Sequence, residues 1–415
     1  MSTLLSINNY YYRRGGAEVV FLEQNRMFEA SGWEVVPFAM QHPKNLESPW
    51  SPYFVDEIEF GEAYSVWEKL LKVPKVIYSL EARRKIGKLV NDARPDIAHA
   101  HNVYHHMSPS IFSVLKRHRI PTILTLHDLK LACPAYKMLT HDGICERCKN
   151  GALLHVVRNR CVKNSLALSS MIWLEASVQR MLGCYTDNVD RFITPSRFYL
   201  EKMVEWGWQR NRFTYIPNFV DVASHHPDFN AGQAFLYFGR LAPEKGLATL
   251  IKAATQAQVP LWIVGTGPEE IALKQLAASL SANVAFLGYK TGEELHELVR
   301  RARAVVLPSE WYENAPMSVL ESYALGRIVI GAAIGGIPEL IRENQTGISF
   351  ESGNVEALTA ALRNVATMSG AQLAEMGRAA RTWVENDFTV TRYLERVLDL
   401  YREFGVGDLT NKSAR

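Results

Sequence analysis

Short apolar runs alternate with helical stretches twice along this chain. In the first half, Thr3–Asn8, Trp33–Ala39, Asp96–His101, Thr122–His127 and Arg191–Thr194 read as strands. In the second, Ala234–Phe238, Leu261–Val264, Val284–Leu287, Ala304–Leu307 and Ile328–Gly331 do. Helical segments such as Ala17–Ala30 and Leu247–Ala257 lie between them. This alternation predicts a doubly wound parallel sheet, and its recurrence predicts two. A chain of 415 residues also exceeds one typical core. Tyr215-Ile216-Pro217-Asn218-Phe219 is the expected connector, because proline forces extended backbone and Asn favours a turn. The domains are therefore expected at 1–217, with a cysteine-containing insertion at 133–161, and at 218–387. Ligands of open α/β sheets bind outside the carboxyl ends of the strands. If the two sheets face each other with those ends, the cleft between them is the expected site.

Composition excludes several classes. A net charge of +3 is too small to argue for a nucleic-acid partner. No apolar run reaches the length of a membrane span. The start, Met1 to Asn8, reads as a buried strand rather than a signal peptide, so a cytoplasmic location is expected. From Lys412 onward the tail is polar and expected to fray.

The richest stretch is Pro308-Ser309-Glu310-Trp311-Tyr312-Glu313-Asn314-Ala315-Pro316-Met317-Ser318-Val319-Leu320-Glu321. An apolar strand precedes it, and Val319, Leu320, Tyr323 and Ala324 follow with helical spacing. Pro316 suits a first helical turn. Glu313 then lies in a strand-to-helix loop and Glu321 about a turn inside the helix. The helix N-terminus offers bare N–H groups and partial positive charge, which suit a phosphate. The carboxylates suit neutral hydroxyls. Phosphate plus polyol reads as a sugar nucleotide.

Other strand ends add to this. Phe238-Gly239-Arg240-Leu241-Ala242-Pro243-Glu244-Lys245-Gly246 sets two cations, Arg240 and Lys245, beside a helix start, which suits a diphosphate; two solvated surface cations would be the plain alternative. Val264-Gly265-Thr266-Gly267-Pro268 is a further glycine turn and Gly288 ends another strand, while Gly331 to Gly336, with Gly335-Gly336, either lets backbone pass close to a ligand or merely turns the chain. Gly15 and Gly16 lead into a helix and offer a second phosphate-facing terminus, without the three-glycine dinucleotide fingerprint. His127 ends its strand and can reach the cleft, or can be a satisfied core histidine. His99 and His101 share one face of theirs.

Cys133, Cys145, Cys148 and Cys161 cluster in the insertion, with Cys145-Glu146-Arg147-Cys148 as a C-x-x-C knuckle, while Cys184 stands apart. A closed structural zinc site, free thiols and a redox pair all fit that spacing. Between Trp67 and Lys88, basic and apolar residues interleave; this suits either contact with an anionic membrane surface or a solvated helical face.

With these residues assembled, the chain resembles the large retaining glycosyltransferase family numbered four, of the GT-B fold. Glu313 to Glu321 looks like that family's E-x7-E signature. The resemblance implies that Glu313 sits by the donor sugar and that Glu321 holds the ribose hydroxyls. It gives Arg240 and Lys245 the donor diphosphate, Gly15-Gly16 a place near the phosphates, and His127 a place near the sugar. Gly239, Gly265, Gly267, Gly288, Asn314, Ala315, Pro316 and Met317 complete the expected substrate-binding set. Many members carry Gly-Phe-Gly-Leu where this chain has Asn314-Ala315-Pro316-Met317, which leaves the donor sugar open. The insertion resembles one in bacterial members that build surface polysaccharides. Residues 388–415, with a helix around Tyr393–Phe404, are implied to cross back onto the first domain.

The implied activity is metal-independent retaining transfer from a UDP- or GDP-sugar to a saccharide acceptor, lipid-linked, with peripheral contact at the inner face of the cytoplasmic membrane. No cofactor is required for it. Rival readings are a sugar-nucleotide epimerase, a phosphorylase on the same architecture, and a non-catalytic sugar-nucleotide-binding partner.

Overall fold

A computed structural model describes residues 1–57 and 75–407. The segment between Trp67 and Lys88 thus lies outside the described residues as far as 74, as does the tail from 408. The first domain is built on β1 (Thr3–Ile7), β2 (Glu34–Phe38), β3 (Ile97–Ala100) and β4 (Thr122–Thr125). A small antiparallel hairpin, β5 (Leu139–Thr140) and β6 (Gly143–Ile144), follows inside the cysteine insertion. Then come β7 (Arg191–Thr194) and β8 (Phe213–Tyr215). The parallel sheet runs β2-β1-β3-β4-β7-β8. The second domain carries β9 (Phe235–Phe238), β10 (Leu261–Val264), β11 (Val284–Gly288), β12 (Ala304–Leu307), β13 (Val329–Ala332) and β14 (Gly347–Phe350), parallel in the order β11-β10-β9-β12-β13-β14. Two doubly wound α/β domains are what the alternation predicts.

β8 and β14 are edge strands. β8 occupies the start of the expected connector, so the crossing to the second domain begins at Ile216. The central strands β1, β3, β4, β12 and β13 are buried along their whole length, because helices cover both faces. Each sheet reverses its strand order once, between β1 and β3 and between β9 and β12. Those switch points open crevices at the carboxyl ends.

The last described helix, Val390–Arg402, packs on the first domain, not on the second from which it leaves. Tyr393, Val397, Leu400 and Tyr401 join Leu4, Phe28 and Ile97 in one buried cluster. Its Tyr393 hydroxyl donates to Gln24 Oε1 at 2.6 Å, and Tyr401 stacks on Phe28. Helix Leu80–Ala93 buries Ala82, Ile86, Leu89 and Val90 and turns Lys85 to Glu81 and Asp56. The described part of the basic–apolar segment is therefore an amphipathic helix facing the core. Among the described residues no helix is long and apolar enough to cross a membrane.

Candidate active site

Both crevices open on the same cleft. Helix Gly16–Ala30 starts after β1, and helix Met317–Ala324 starts after β12. Their N-termini face each other so closely that a side chain begun at Gly16 would meet Met317 Cγ at 4.0 Å. Pro316 stands just before the first turn as the N-cap, with extended backbone (φ −64°, ψ 121°). At Gly15 the Glu18 carboxylate already curls back, Oε2 lying 3.4 Å from where a Gly15 Cβ would stand. Burial raises the Glu18 pKa. The first-domain terminus thus carries its own carboxyl, and the terminus at Pro316 is the one left for an anion.

Glu313 is buried at the carboxyl end of β12. Its Oε1 accepts from Lys245 Nζ at 2.6 Å and from Ser309 Oγ at 2.7 Å. Burial pushes its pKa up, but the Lys245 ammonium and the hydrogen bonds more than offset this, and the net shift is downward. Lys245 lies over the Trp311 ring, 5.2 Å from its centre. Arg240 is exposed and pairs with Glu244, which is also held by Lys137 of the cysteine insertion at 3.2 Å. Glu321 is half-buried on helix Met317–Ala324. Burial raises its pKa, and Arg13 from the opposite domain draws it part of the way back.

The predicted residues from the second domain therefore converge: Arg240, Lys245, Glu313, Asn314, Ala315, Pro316, Met317 and Glu321 lie around the β9/β12 crevice. The glycines divide. A Cβ on Gly265 would come within 1.9 Å of the Gly239 carbonyl, and one on Gly267 within 2.2 Å of that of Leu241. These two let the β9 and β10 loops pack on each other. Gly288 meets nothing and has φ +68°. Gly335 and Gly336 press on the backbone of Glu313 and Asn314, with a Gly336 Cβ falling 1.9 Å from the Asn314 carbonyl. They hold the Glu313 loop in place.

Asn314 also binds the domains together. Its Nδ2 donates to the Leu126 carbonyl at 2.9 Å, and Ser196 Oγ donates to its Oδ1 at 2.8 Å. Glu339 accepts the backbone N–H groups of Arg197 (2.8 Å) and Phe198 at the start of helix Arg197–Glu205. Tyr312 joins Glu146 of the insertion at 2.9 Å and receives the Tyr199 hydroxyl at its carbonyl at 3.2 Å. None of Ser196, Glu339, Tyr199 or Lys137 carries a local sequence signal. Their partners lie more than a hundred residues away.

On the first-domain side, His127 is half-buried at the cleft edge, and burial holds its pKa down to about 4. Asp128 beside it is pushed up to about 6 by burial, against the pull of Lys130. Both are therefore neutral at mildly acid pH.

The four insertion cysteines are close enough that their charges would act on one another. Burial, then neighbouring thiols, push Cys148 up to about 12 and Cys161 up to about 11. Among the described residues, however, no group of three or more His, Cys, Asp or Glu is placed to hold a metal ion. Such high thiol pKa values also disfavour a redox-active pair.

The sequence model described as Glycosyltransferase Family 4 matches residues 14–224, and that described as Glycosyl transferases group 1 matches residues 226–383. A glycogen synthase of Mycobacterium tuberculosis is 28% identical over 80% of this chain and 74% of its own. An uncharacterized 42.6 kDa protein in the cps region of Klebsiella pneumoniae is 25% identical over 82% and 88%. Among solved structures, Anabaena HepE in complex with UDP superposes with a TM-score of 0.66 at 16% identity, covering 97% of this chain and 100% of that one. Two facing doubly wound domains, a paired carboxylate and lysine at the crevice, and both sequence matches agree: the chain belongs to glycosyltransferase family 4 and has the GT-B fold.

Proposed function

We propose that this protein transfers a sugar, with retention of anomeric configuration, from a nucleoside-diphosphate sugar to a saccharide acceptor. The observation that carries this is the Lys245–Glu313 pair, set beside the helix N-terminus at Pro316 and one helical turn from Glu321. A diphosphate needs fixed positive charge without a bulky side chain, and Lys245, Arg240 and the open N–H groups supply it. Glu321 then accepts from ribose hydroxyls, and Glu313 holds Lys245 and the donor sugar in place. Anabaena HepE was solved with UDP, which supports a UDP-sugar; a GDP-sugar is the other candidate.

In this scheme the bond from the anomeric carbon to the diphosphate oxygen breaks, its electron pair leaving with the diphosphate. The acceptor oxygen bonds to the same face, and its proton passes to the departing phosphate oxygen. No side chain becomes covalently attached. Cations from the protein do the work that a divalent metal does elsewhere, so EDTA is expected to leave donor binding intact.

The acceptor side is the first domain. Leu166, Leu174, Met181 and Leu182, all exposed, lie along or just after one helix there, Leu166–Met181. This supports a lipid-linked acceptor taken from a membrane surface, and the relative in a cps region supports a role in polysaccharide synthesis. Co-sedimentation with anionic vesicles tests the membrane part. Release of UDP or GDP from the matching donor sugars tests the chemistry, and it separates a transferase from a non-catalytic binding protein.

A further inference from the structure

His127 is the cleft end of a column of three imidazoles. The rings of His99 and His101 are 4.8 Å apart and 14° from parallel, and those of His101 and His127 are 5.1 Å apart and 18° from parallel. The inner end is tied down. His99 Nε2 lies 2.7 Å from Thr125 Oγ1, and its Nδ1 lies 2.7 Å from the Tyr401 hydroxyl of the returning helix and 3.1 Å from Gln24 Nε2. The outer contact is a single hydrogen bond, His101 Nδ1 to His127 Nε2, at 2.8 Å. His101 itself is fully buried, and among the described residues its Nε2 has no partner.

A neutral imidazole carries one N–H, so this bond can be made in two ways. If His127 Nε2–H donates, the His101 proton must sit on Nε2 as a buried donor with nothing to receive it. Phe21 packs against His101 at 5.3 Å and 70° and offers no oxygen or nitrogen acceptor for that proton. If His101 Nδ1–H donates instead, its Nε2 keeps only a lone pair, so an acceptor rather than a donor is left without a partner. Buried donors are the more strictly satisfied of the two kinds of group. In this second arrangement the remaining proton of His127 sits on Nδ1, on the far side of its ring from His101.

We infer that His101 is a positioning residue: its Nδ1–H holds His127 in the tautomer whose Nδ1–H is turned to the cleft, as a hydrogen-bond donor for a hydroxyl of the donor sugar. The sugar contact rests on the transferase function proposed above; the tautomer does not. His101 touches no substrate. It acts through the ring orientation and proton placement of His127, much as a buried partner fixes the tautomer of a histidine in other sites.

Nitrogen NMR of protein labelled with 15N-histidine reads the tautomer directly, the His127 signal being the one lost in His127→Ala. The wild type should show His127 protonated on Nδ1. His101→Phe should shift it toward the Nε2 form, and His101→Asn, whose amide N–H can stand in for the Nδ1–H, should keep it. Turnover is followed as UDP release from UDP-glucose and GDP release from GDP-mannose. His101→Phe should lower kcat about tenfold, the worth of one such hydrogen bond, with KM little changed. His101→Asn should recover most of the loss. An Nε2–H tautomer at His127 in the wild type would overturn the inference, as would a folded His101→Phe protein with unchanged tautomer and kcat. If neither donor is turned over by the wild type, the donor assignment fails, while the NMR result still decides the tautomer.

Discussion

Lys245 Nζ stands 2.6 Å from Glu313 Oε1, although the two residues are 68 positions apart. Each comes from the carboxyl end of a different strand, β9 and β12, at the point where the second sheet reverses its order. Glu313 has little solvent of its own, with 10% of its side chain exposed against 22% for Lys245. The pair is thus lopsided: the carboxylate depends on the ammonium far more than the reverse.

That asymmetry separates the two single substitutions. Lys245→Ala leaves a buried charge uncompensated, and should cost more stability than Glu313→Gln, which leaves a cation able to reach water. Both should lose turnover by roughly tenfold to a hundredfold, the kinetic equivalent of ~1.5–3 kcal/mol for a charge-assisted contact. Thermal denaturation beside kcat measurement checks both halves. Full activity in either folded variant would remove the pair from the mechanism.

Glu321 should act on nucleotide affinity rather than on the chemical step. A carboxylate accepting ribose hydroxyls binds ground state and transition state alike. Glu321→Ala is therefore expected to raise the dissociation constant for the nucleoside diphosphate about tenfold or more. Calorimetry with the nucleotide alone is sufficient. A deoxyribose analogue should lose affinity for the wild type and little for the variant.

Stability should fall on the acid side, for a reason located in the histidine column. Burial holds His99 at about 3 and His127 at about 4, both below the ordinary value of about 6.5. Groups depressed on folding stabilise above their unfolded value, and that stability is lost as pH falls from about 6.5 toward 4. Asp128 runs the other way. Raised to about 6, it costs stability once ionised, so its contribution is lost as pH rises through 6. Asp128→Asn should raise Tm at pH 7.5 and leave it unchanged near pH 4. His99→Gln should flatten the acid limb. Melting curves from pH 4 to 8 check both.

The cysteines give a chemical test. Cys133, Cys148 and Cys184 are buried, so native protein should offer at most two fast-reacting thiols and denatured protein all five. Metal analysis of the same sample belongs with this. One equivalent of zinc, lost in Cys148→Ser, would show that the insertion closes on a metal after all.

Much of this was legible in the residues themselves. Ten of the twelve strands in the two parallel sheets announce themselves as apolar runs bounded by turns, and the E-x7-E spacing places both carboxylates at one helix start. The remaining two, β8 and β14, are different. Phe213-Thr214-Tyr215 is three residues long and half polar, and Gly347 to Phe350 is interrupted by Ser349, so neither rises above its loop. What joins the domains is invisible for another reason. Ser196 with Asn314, Lys137 with Glu244 and Glu339 with Arg197 pair across more than a hundred residues, and no local pattern records a partner that remote. The glycines at 335 and 336 show the same limit. Their spacing suggests a ligand or a turn, whereas packing shows that they brace Glu313.

The most direct measurement is a thermal-shift titration of the purified protein with UDP, GDP, ADP and dTDP, with and without EDTA, in wild type and Lys245→Ala. A diphosphate site built from Lys245, Arg240 and the helix start at Pro316 predicts that UDP or GDP stabilises the wild type, that EDTA leaves the shift unchanged, and that Lys245→Ala abolishes it. A shift that requires a divalent metal, or no shift with any nucleotide, would contradict it.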